Sequence, residues 1–325
     1  MQIMKNALWV LVFVALAGVF IVIGILRKGR EAGRRRIAVI PKETASVYWE
    51  GVRQGALKAG EEEQFEISWN GPEIETDRER QIQIIEDFIA QRVAGIVLAP
   101  NDRKALVPSV EKIYAKNIPC VIIDSGVETD KYLSFMATDN YKGGELAAKR
   151  MGEILQGKGK VIIVKWTPNS ASTDARVKGF REIIANEFAG IEIVDSQYPN
   201  PPTLDNARMV TEDMLSSNPE VNGLFACNAT TAGGALQALR NLAHAEKRVR
   251  MVGFDAWPML VDGLKKDQID SLVIQNPYRM GYEGVKAIVS HVQGKEVQKH
   301  VDTGVELVTK DRLDEPKIKE LLNLQ

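Results

Sequence analysis

From Arg36 onward, short continuous apolar runs rich in β-branched residues alternate with longer amphipathic segments, and this rhythm constrains the fold more than any other feature of the chain. The runs are RIAVIP (36–41), FEISW (65–69), GIVLAP (95–100), PCVIID (119–124), KVIIVK (160–165), IEIVDS (191–196), GLFACN (223–228), RMVGFD (250–255) and SLVIQN (271–276). Between them, DRERQIQIIEDFIAQR (77–92) repeats apolar residues at helical spacing, with Ile82, Ile85, Ile89 and Val93 on one face. NYKGGELAAKRMGEILQ (140–156) and PYRMGYEGVKAIVSHVQG (277–294) read as helices in the same way. Continuous apolar strands alternating with helices indicate parallel sheets covered on both faces. The number of such units exceeds one ordinary doubly wound sheet, so the expected fold is α/β with two similar lobes. No fixed short repeat occurs, which excludes a solenoid.

The bulk chemistry narrows the function. The 325 residues are 45% apolar and 26% charged with a formal net charge of −1, so no global field draws the chain to nucleic acid. Cys120 and Cys227 each sit in a strongly apolar run and read as free buried thiols. His244, His291 and His300 are scattered without metal-ligand spacing, so neither a metal site nor a histidine-based triad is expected, and no cofactor is implied. There is no Walker loop, no G-x-G-x-x-G joining a strand to a helix, and no nucleophile elbow. GKGK at 157–160 reads as a turn before a strand. The expectation is a protein that is not an enzyme.

The amino terminus carries a conflict. Ala7 to Leu26 is an unbroken apolar stretch, about 30 Å long as a helix, which suits a membrane anchor. Ala15-Leu16-Ala17 resembles a signal-peptide cleavage site, but the apolar run continues well past it, so an uncleaved anchor is the better reading. Leu16-Ala17-Gly18-Val19 resembles a lipoprotein signal, yet Val19 stands where the lipidated Cys must be. Arg27, Lys28, Arg30, Arg34, Arg35 and Arg36 come after the span, whereas only Lys5 and the amino group precede it, a bias towards keeping the body in the cytoplasm.

In open α/β sheets, ligands bind outside the carboxyl ends of the strands. PCVIID ends in Asp124, GLFACN in Asn228, RMVGFD in Asp255, and SLVIQ in Gln275. A carboxylate accepts from neighbouring hydroxyls, while Asn and Gln both donate and accept, which is the inventory a sugar needs. Each has a plainer alternative: Asp255 could cap the helix starting near Pro258, and Asp124 could shape a turn. The stretch SVYWEG (46–51) adds two adjacent aromatics, Tyr48 and Trp49, at the same edge. Neighbours on a helix point about 100° apart, so both rings cannot enter one core face.

At these residues the chain resembles the sugar-binding class of periplasmic binding proteins, the ribose-binding-protein group that serves ABC importers. The likeness runs from about Arg36 to Val308 and includes IPCVIIDSG, MATDNYKGGELAA, STDARVKGF, LFACNATTAGGALQAL, MVGFDAWP and LVIQNPYRMGYEGV in family order. The resemblance implies two lobes joined by a three-crossing hinge that closes on a monosaccharide. It divides the chain into a leader or anchor with its basic linker (1–36), an N-terminal lobe (37–138 plus 276–304) and a C-terminal lobe (139–275 plus 305–325). It implies ligand contacts at Asp124, Asn228, Asp255 and Gln275, stacking aromatics at Tyr48 and Trp49, and a polar contact at Ser46. Lys42 and Ser125 depart from the ribose binders, which carry a small hydroxyl residue and an Arg there. Asp174 occupies the place of a second sugar-contacting Arg, and Arg176 matches a neighbouring basic position. Lys42 is either a selector for acidic or phosphorylated sugars or a solvated rim lysine. A C-terminal aromatic plate is expected from YPNPPTL (198–204), which offers Tyr198.

The implied partners are a monosaccharide and an ABC permease in the inner membrane, with the protein a tethered monomer on the extracytoplasmic side, since large domains can override the positive-inside bias. A membrane-tethered sensor of a sugar or furanosyl signal, reporting closure to a receptor, is the alternative. A transcription regulator sharing the two-lobe body is excluded, because a membrane span stands where its helix-turn-helix domain would be. Asp124 and Asp255 as a glycosidase pair are set aside on the strand–helix pattern around both.

Overall fold

The computed structural model describes residues 36–242 and 248–322. The apolar run 7–26, the basic residues through Arg35 and His244 lie outside them, and so does the expectation of an anchor or signal helix. Among the described residues no helix is long and apolar enough to cross a membrane.

The chain builds two six-stranded sheets. The first contains β1 (Arg36–Ile40), β2 (Glu66–Trp69), β3 (Gly95–Leu98), β4 (Cys120–Ile123), β5 (Ser134–Ala137) and β11 (His300–Asp302), in the order β11-β5-β4-β3-β1-β2 and all parallel. The second contains β6 (Lys158–Val164), β7 (Gly190–Gln197), β8 (Gly223–Ala226), β9 (Arg250–Phe254), β10 (Ser271–Gln275) and β12 (Val305–Thr309), in the order β12-β10-β9-β8-β6-β7. Only β12 runs antiparallel there, against β10. All nine strands expected from the apolar runs are present. The three without such a run, β5, β11 and β12, lie next to crossings between the sheets, and β11 and β12 are edge strands. They are short or half-exposed and lack the continuous apolar signature.

The period-two geometry of β1 shows why both faces of the sheet are apolar. Ile37 and Val39 pack with Trp49, Val52, Val285 and Ile288, beneath helices α1 (Val47–Glu63) and α9 (Pro277–Val292). Ala38 and Ile40 face the other way, towards Ile84, Phe88, Val110 and Ile113 of helices α2 (Arg78–Gln91) and α3 (Val107–Ala115). The second sheet repeats the plan. Val161 and Ile163 meet helices α4 (Asn140–Ile154) and α5 (Ala171–Glu187), while Ile162 and Val164 meet α6 (Leu204–Ser217), α7 (Ala229–Asn241) and α8 (Pro258–Lys265). Helix α10 (Pro316–Leu321) closes the described chain against that second layer through Ile318.

Three segments cross between the sheets: 137–140, 275–277 and 302–305. Two are tied side by side, with Thr303 N donating to Ala137 O at 3.0 Å and Thr138 Oγ1 to Gly304 O at 3.2 Å. Gly304 has φ +92, a left-handed conformation that a side chain would strain.

Candidate functional site

Both sheets turn the carboxyl ends of their strands towards one shared cleft, where a cavity of about 40 Å³ is bounded by residues of each lobe. Lys42, Glu43, Ser46, Tyr48, Trp49, Glu75 and Asp124 face it from the first lobe. Trp166, Ser172, Thr173, Arg176, Asn228, Ala229, Thr230, Asp255 and Gln275 face it from the second. A larger hollow of about 800 Å³ lies around Arg92, Lys116, Pro119 and Val292, at the opposite, amino end of the first sheet. It offers no aromatic plate and no carboxylate, so the cleft is the better candidate.

Two aspartates organise the site. Asp124 follows β4 and Asp255 follows β9, the strands in fourth place of each sheet counted from the β2 and β7 edges. Both take left-handed backbone conformations, φ +62 and φ +73, which aim the carboxylates off the strand ends into the cleft. Asp124 Oδ1 accepts from the Tyr48 hydroxyl at 3.1 Å, and its Oδ2 meets the Lys42 ammonium at 3.0 Å. Burial alone would raise the Asp124 carboxyl, but Lys42 and then Arg176 outweigh it and hold it below the usual aspartate range. For Asp255 burial wins, and its carboxyl is raised despite Arg176 and the bonds from Gln275 and the Ala229 amide. Asp255 does not cap the helix at Pro258, whose N-cap is Trp257. It accepts instead from Ala229 N at 2.8 Å and from Gln275 Nε2 at 2.6 Å.

The remaining polar groups are partly engaged and partly open. Gln275 Oε1 is buried with no partner in the protein, an acceptor left for something that donates. Asn228 is the N-cap of α7, and its Oδ1 closes a capping box with Thr231, which leaves the amide nitrogen unused. Arg176 is 2% exposed; it donates to Asn140 Oδ1 at 2.8 Å and Cys227 O at 3.0 Å and lies 3.8 Å over the Phe254 ring. Ser46 caps α1 by accepting from Tyr48 N. Cys120 and Cys227 are free and buried, with burial pushing both thiols up to about 12.

Tyr48 and Trp49 stand edge to face, ring centroids 5.1 Å apart at 85°. Both border the cavity, but Trp49 is 4% exposed and belongs to the first lobe's core. One of the two rings therefore does enter the core face, and Tyr48 presents the more open surface.

Three expectations need correction. Lys42 is no rim lysine: it is 3% exposed, paired with Asp124 and with Glu75 at 3.4 Å, and bonded to Ser170 and Ser172. Burial opposes its charge, but Asp124 and then Glu75 prevail and raise it. The second lobe's aromatic at the cavity is Trp166, while Tyr198 stacks under Lys165. Trp166 stands two residues beyond β6, so reading that strand's carboxyl end would have found it. Finally, Ser125 and Asp174 do not line the cavity. Ser125 bonds Ser172 at 2.8 Å, and Asp174 pairs with Arg103 at 3.3 Å, because both sit where the two lobes touch directly. Glu43, three residues beyond β1, and Glu75, in the loop after β2, complete the lining.

The comparisons with known proteins agree with this architecture. A family model described as a periplasmic binding protein domain matches residues 37–296. The D-ribose/D-allose-binding protein of Pseudomonas aeruginosa is 31% identical over 84% of this chain and 88% of its own length. A ribose import binding protein of Bacillus subtilis is 29% identical over 72% of this chain and 75% of its own. Among solved structures, a carbohydrate transporter solute-binding protein of Agrobacterium radiobacter in complex with D-arabinose superposes with a TM-score of 0.86 at 34% identity, covering 89% of this chain and 98% of that one. A solute-binding protein of Agrobacterium vitis with bound D-fucose gives 0.85 at 34% identity, over 88% and 99%. The chain belongs to the periplasmic binding protein family, a family of binding proteins and not of enzymes.

Proposed function

We propose that this protein is the substrate-binding component of a carbohydrate ABC importer, closing two lobes around a neutral monosaccharide and delivering it to a membrane permease. The observation that carries this reading is the convergence of Asp124, Asn228, Asp255 and Gln275 on one cleft, with Gln275 Oε1 unpartnered and aromatic rings beside them. Hydroxyl-rich ligands are recognised by such planar acceptors and donors, and their C–H faces by the rings. Relatives named for ribose and allose, and neighbours holding arabinose and fucose, support the sugar class. Neutrality is argued from Lys42, whose charge is already met by Asp124 and Glu75, so an acidic sugar gains no free cation there.

In this reading Asp124, Arg176, Asn228, Asp255, Gln275 and Lys42 bond the sugar's hydroxyls, with Ser46 at the rim and Tyr48, Trp49 and Trp166 as plates. The lobes comprise 37–138 with 276–304 and 139–275 with 305–325, hinged at the three crossings. The protein acts as a monomer outside the cytoplasmic membrane, tethered by residues 7–26. Thermal-shift screening of the chain against pentoses, hexoses, polyols and sugar acids tests this. A cognate sugar at 100 times its dissociation constant stabilises by about 2.7 kcal/mol. A panel in which no neutral sugar raises the melting temperature overturns the proposal.

A further inference from the structure

Glu75 comes from the loop between β2 and α2 in the first lobe and is 6% exposed. Its carboxylate draws most of its donors from the other lobe. Oε2 accepts from Trp166 Nε1 at 2.7 Å, and Oε1 accepts from Ser170 Oγ at 3.0 Å and Thr167 Oγ1 at 3.5 Å. The first-lobe Lys42 ammonium stands 3.4 Å from the same Oε1 and itself donates across the cleft to Ser170 and Ser172. Gln275 Oε1 is the contrast: equally buried, at the same cavity, and unpartnered.

We infer that Glu75 is a positioning residue that latches the lobes together, fixing the Trp166 ring and the Lys42 ammonium in the geometry the ligand meets. The inference rests on the sugar-binding function proposed for this cleft. A buried carboxylate whose donors sit mainly on the facing lobe fixes the groups it holds, here the Trp166 indole and, with Asp124, the Lys42 ammonium. Opening the hinge separates Glu75 from Trp166, Thr167 and Ser170 together, because all three come after β6 in the second lobe. The latch therefore favours the closed arrangement before a sugar bridges the lobes. A larger closed-competent fraction raises apparent affinity in proportion.

The test uses the full chain with spin labels on exposed positions of each lobe, Lys58→Cys and Lys178→Cys, and compares native Glu75 with Glu75→Gln. The amide keeps the shape but turns an N–H₂ towards one set of donors. Without sugar, the label-to-label distances should lengthen in Glu75→Gln. With the sugar found by screening, affinity should fall about tenfold, mainly through faster dissociation. In a Trp166→Phe background, which removes the indole N–H and keeps a ring, the same substitution should cost clearly less, as a double-mutant cycle requires for a coupled pair. Unchanged distances in Glu75→Gln overturn the latch, and fully additive losses with Trp166→Phe overturn positioning through that ring. If native protein binds no sugar while Glu75→Gln still lengthens the distances, the function fails and the latch stands.

Discussion

Asp124 and Asp255 show how much a single residue decides in this cleft. A left-handed conformation costs an ordinary L-residue roughly 1–2 kcal/mol, and Asp tolerates it through its short polar side chain. The two lobes hold the same strain at the same strand end and use it to aim a carboxylate. Asp255→Ala should abolish the sugar-induced thermal shift and lower the sugar-free stability by about 2–3 kcal/mol, from the lost acceptor at a helix N-terminus and from holding alanine in a left-handed conformation. Melting curves with and without sugar check both numbers, and a retained shift removes Asp255 from the site. Glu43, at the same cavity, is pushed up to about 8 by burial and then by Glu75. A carboxyl raised on folding supports the fold fully below its ordinary range and loses that support as pH rises through about 8. Stability of the sugar-free protein should therefore decline from pH 5 to pH 8, and Glu43→Gln should flatten that slope.

At the scale of elements, each lobe contains helices that cross in backbone contact at glycines. In the first lobe a Cβ on Gly281 would lie 1.9 Å from Val52 O, and one on Gly55 would lie 1.9 Å from Tyr278 O. The second lobe repeats the device where α4 meets α5. These glycines allow the last long helix, α9, to return to the first lobe after the chain has built the second. Gly281→Leu should force α1 and α9 apart and cost about 3 kcal/mol or more, the upper range for overpacking. Gly126→Ala, whose Cβ would meet nothing nearer than 4.0 Å, is the matching control. Denaturant titration of both variants measures the difference, and equal midpoints would show that the close crossing is not needed.

For the whole molecule, the paired crossings at 137–140 and 302–305 join the lobes covalently, and direct contacts join them again across the cleft. Arg103 N to Asn169 O at 3.2 Å and Asn169 Nδ2 to Asp102 Oδ2 at 3.4 Å extend the line of contacts begun by Glu75, Lys42 and Ser125. Delivery to a permease requires the cleft to lie outside the cytoplasmic membrane, although Arg27 to Arg36 favour cytoplasmic retention of the two lobes downstream. Alkaline phosphatase fused after Gln325 should be active in a bacterial host, and an inactive, stably expressed fusion would reverse the assignment of compartment.

The alternation of apolar runs and amphipathic segments determined the α/β class, nine of the twelve described strands, and the carboxyl ends at which Asp124, Asn228, Asp255 and Gln275 stand. Those features are local, because burial on both faces of a strand is written in consecutive residues. Tertiary structure alone decided what Lys42, Glu75 and Trp166 do. Their partners lie 33 to 130 positions away in sequence. A lysine in a loop reads the same whether solvated or held by two buried carboxylates. The adjacency of Tyr48 and Trp49 marked the edge of a cleft, but only packing assigned Trp49 to the core and left Tyr48 beside Asp124. Ser125 and Asp174 show the reverse: the family resemblance alone pointed them at the ligand, and contact between the lobes engages their side chains elsewhere.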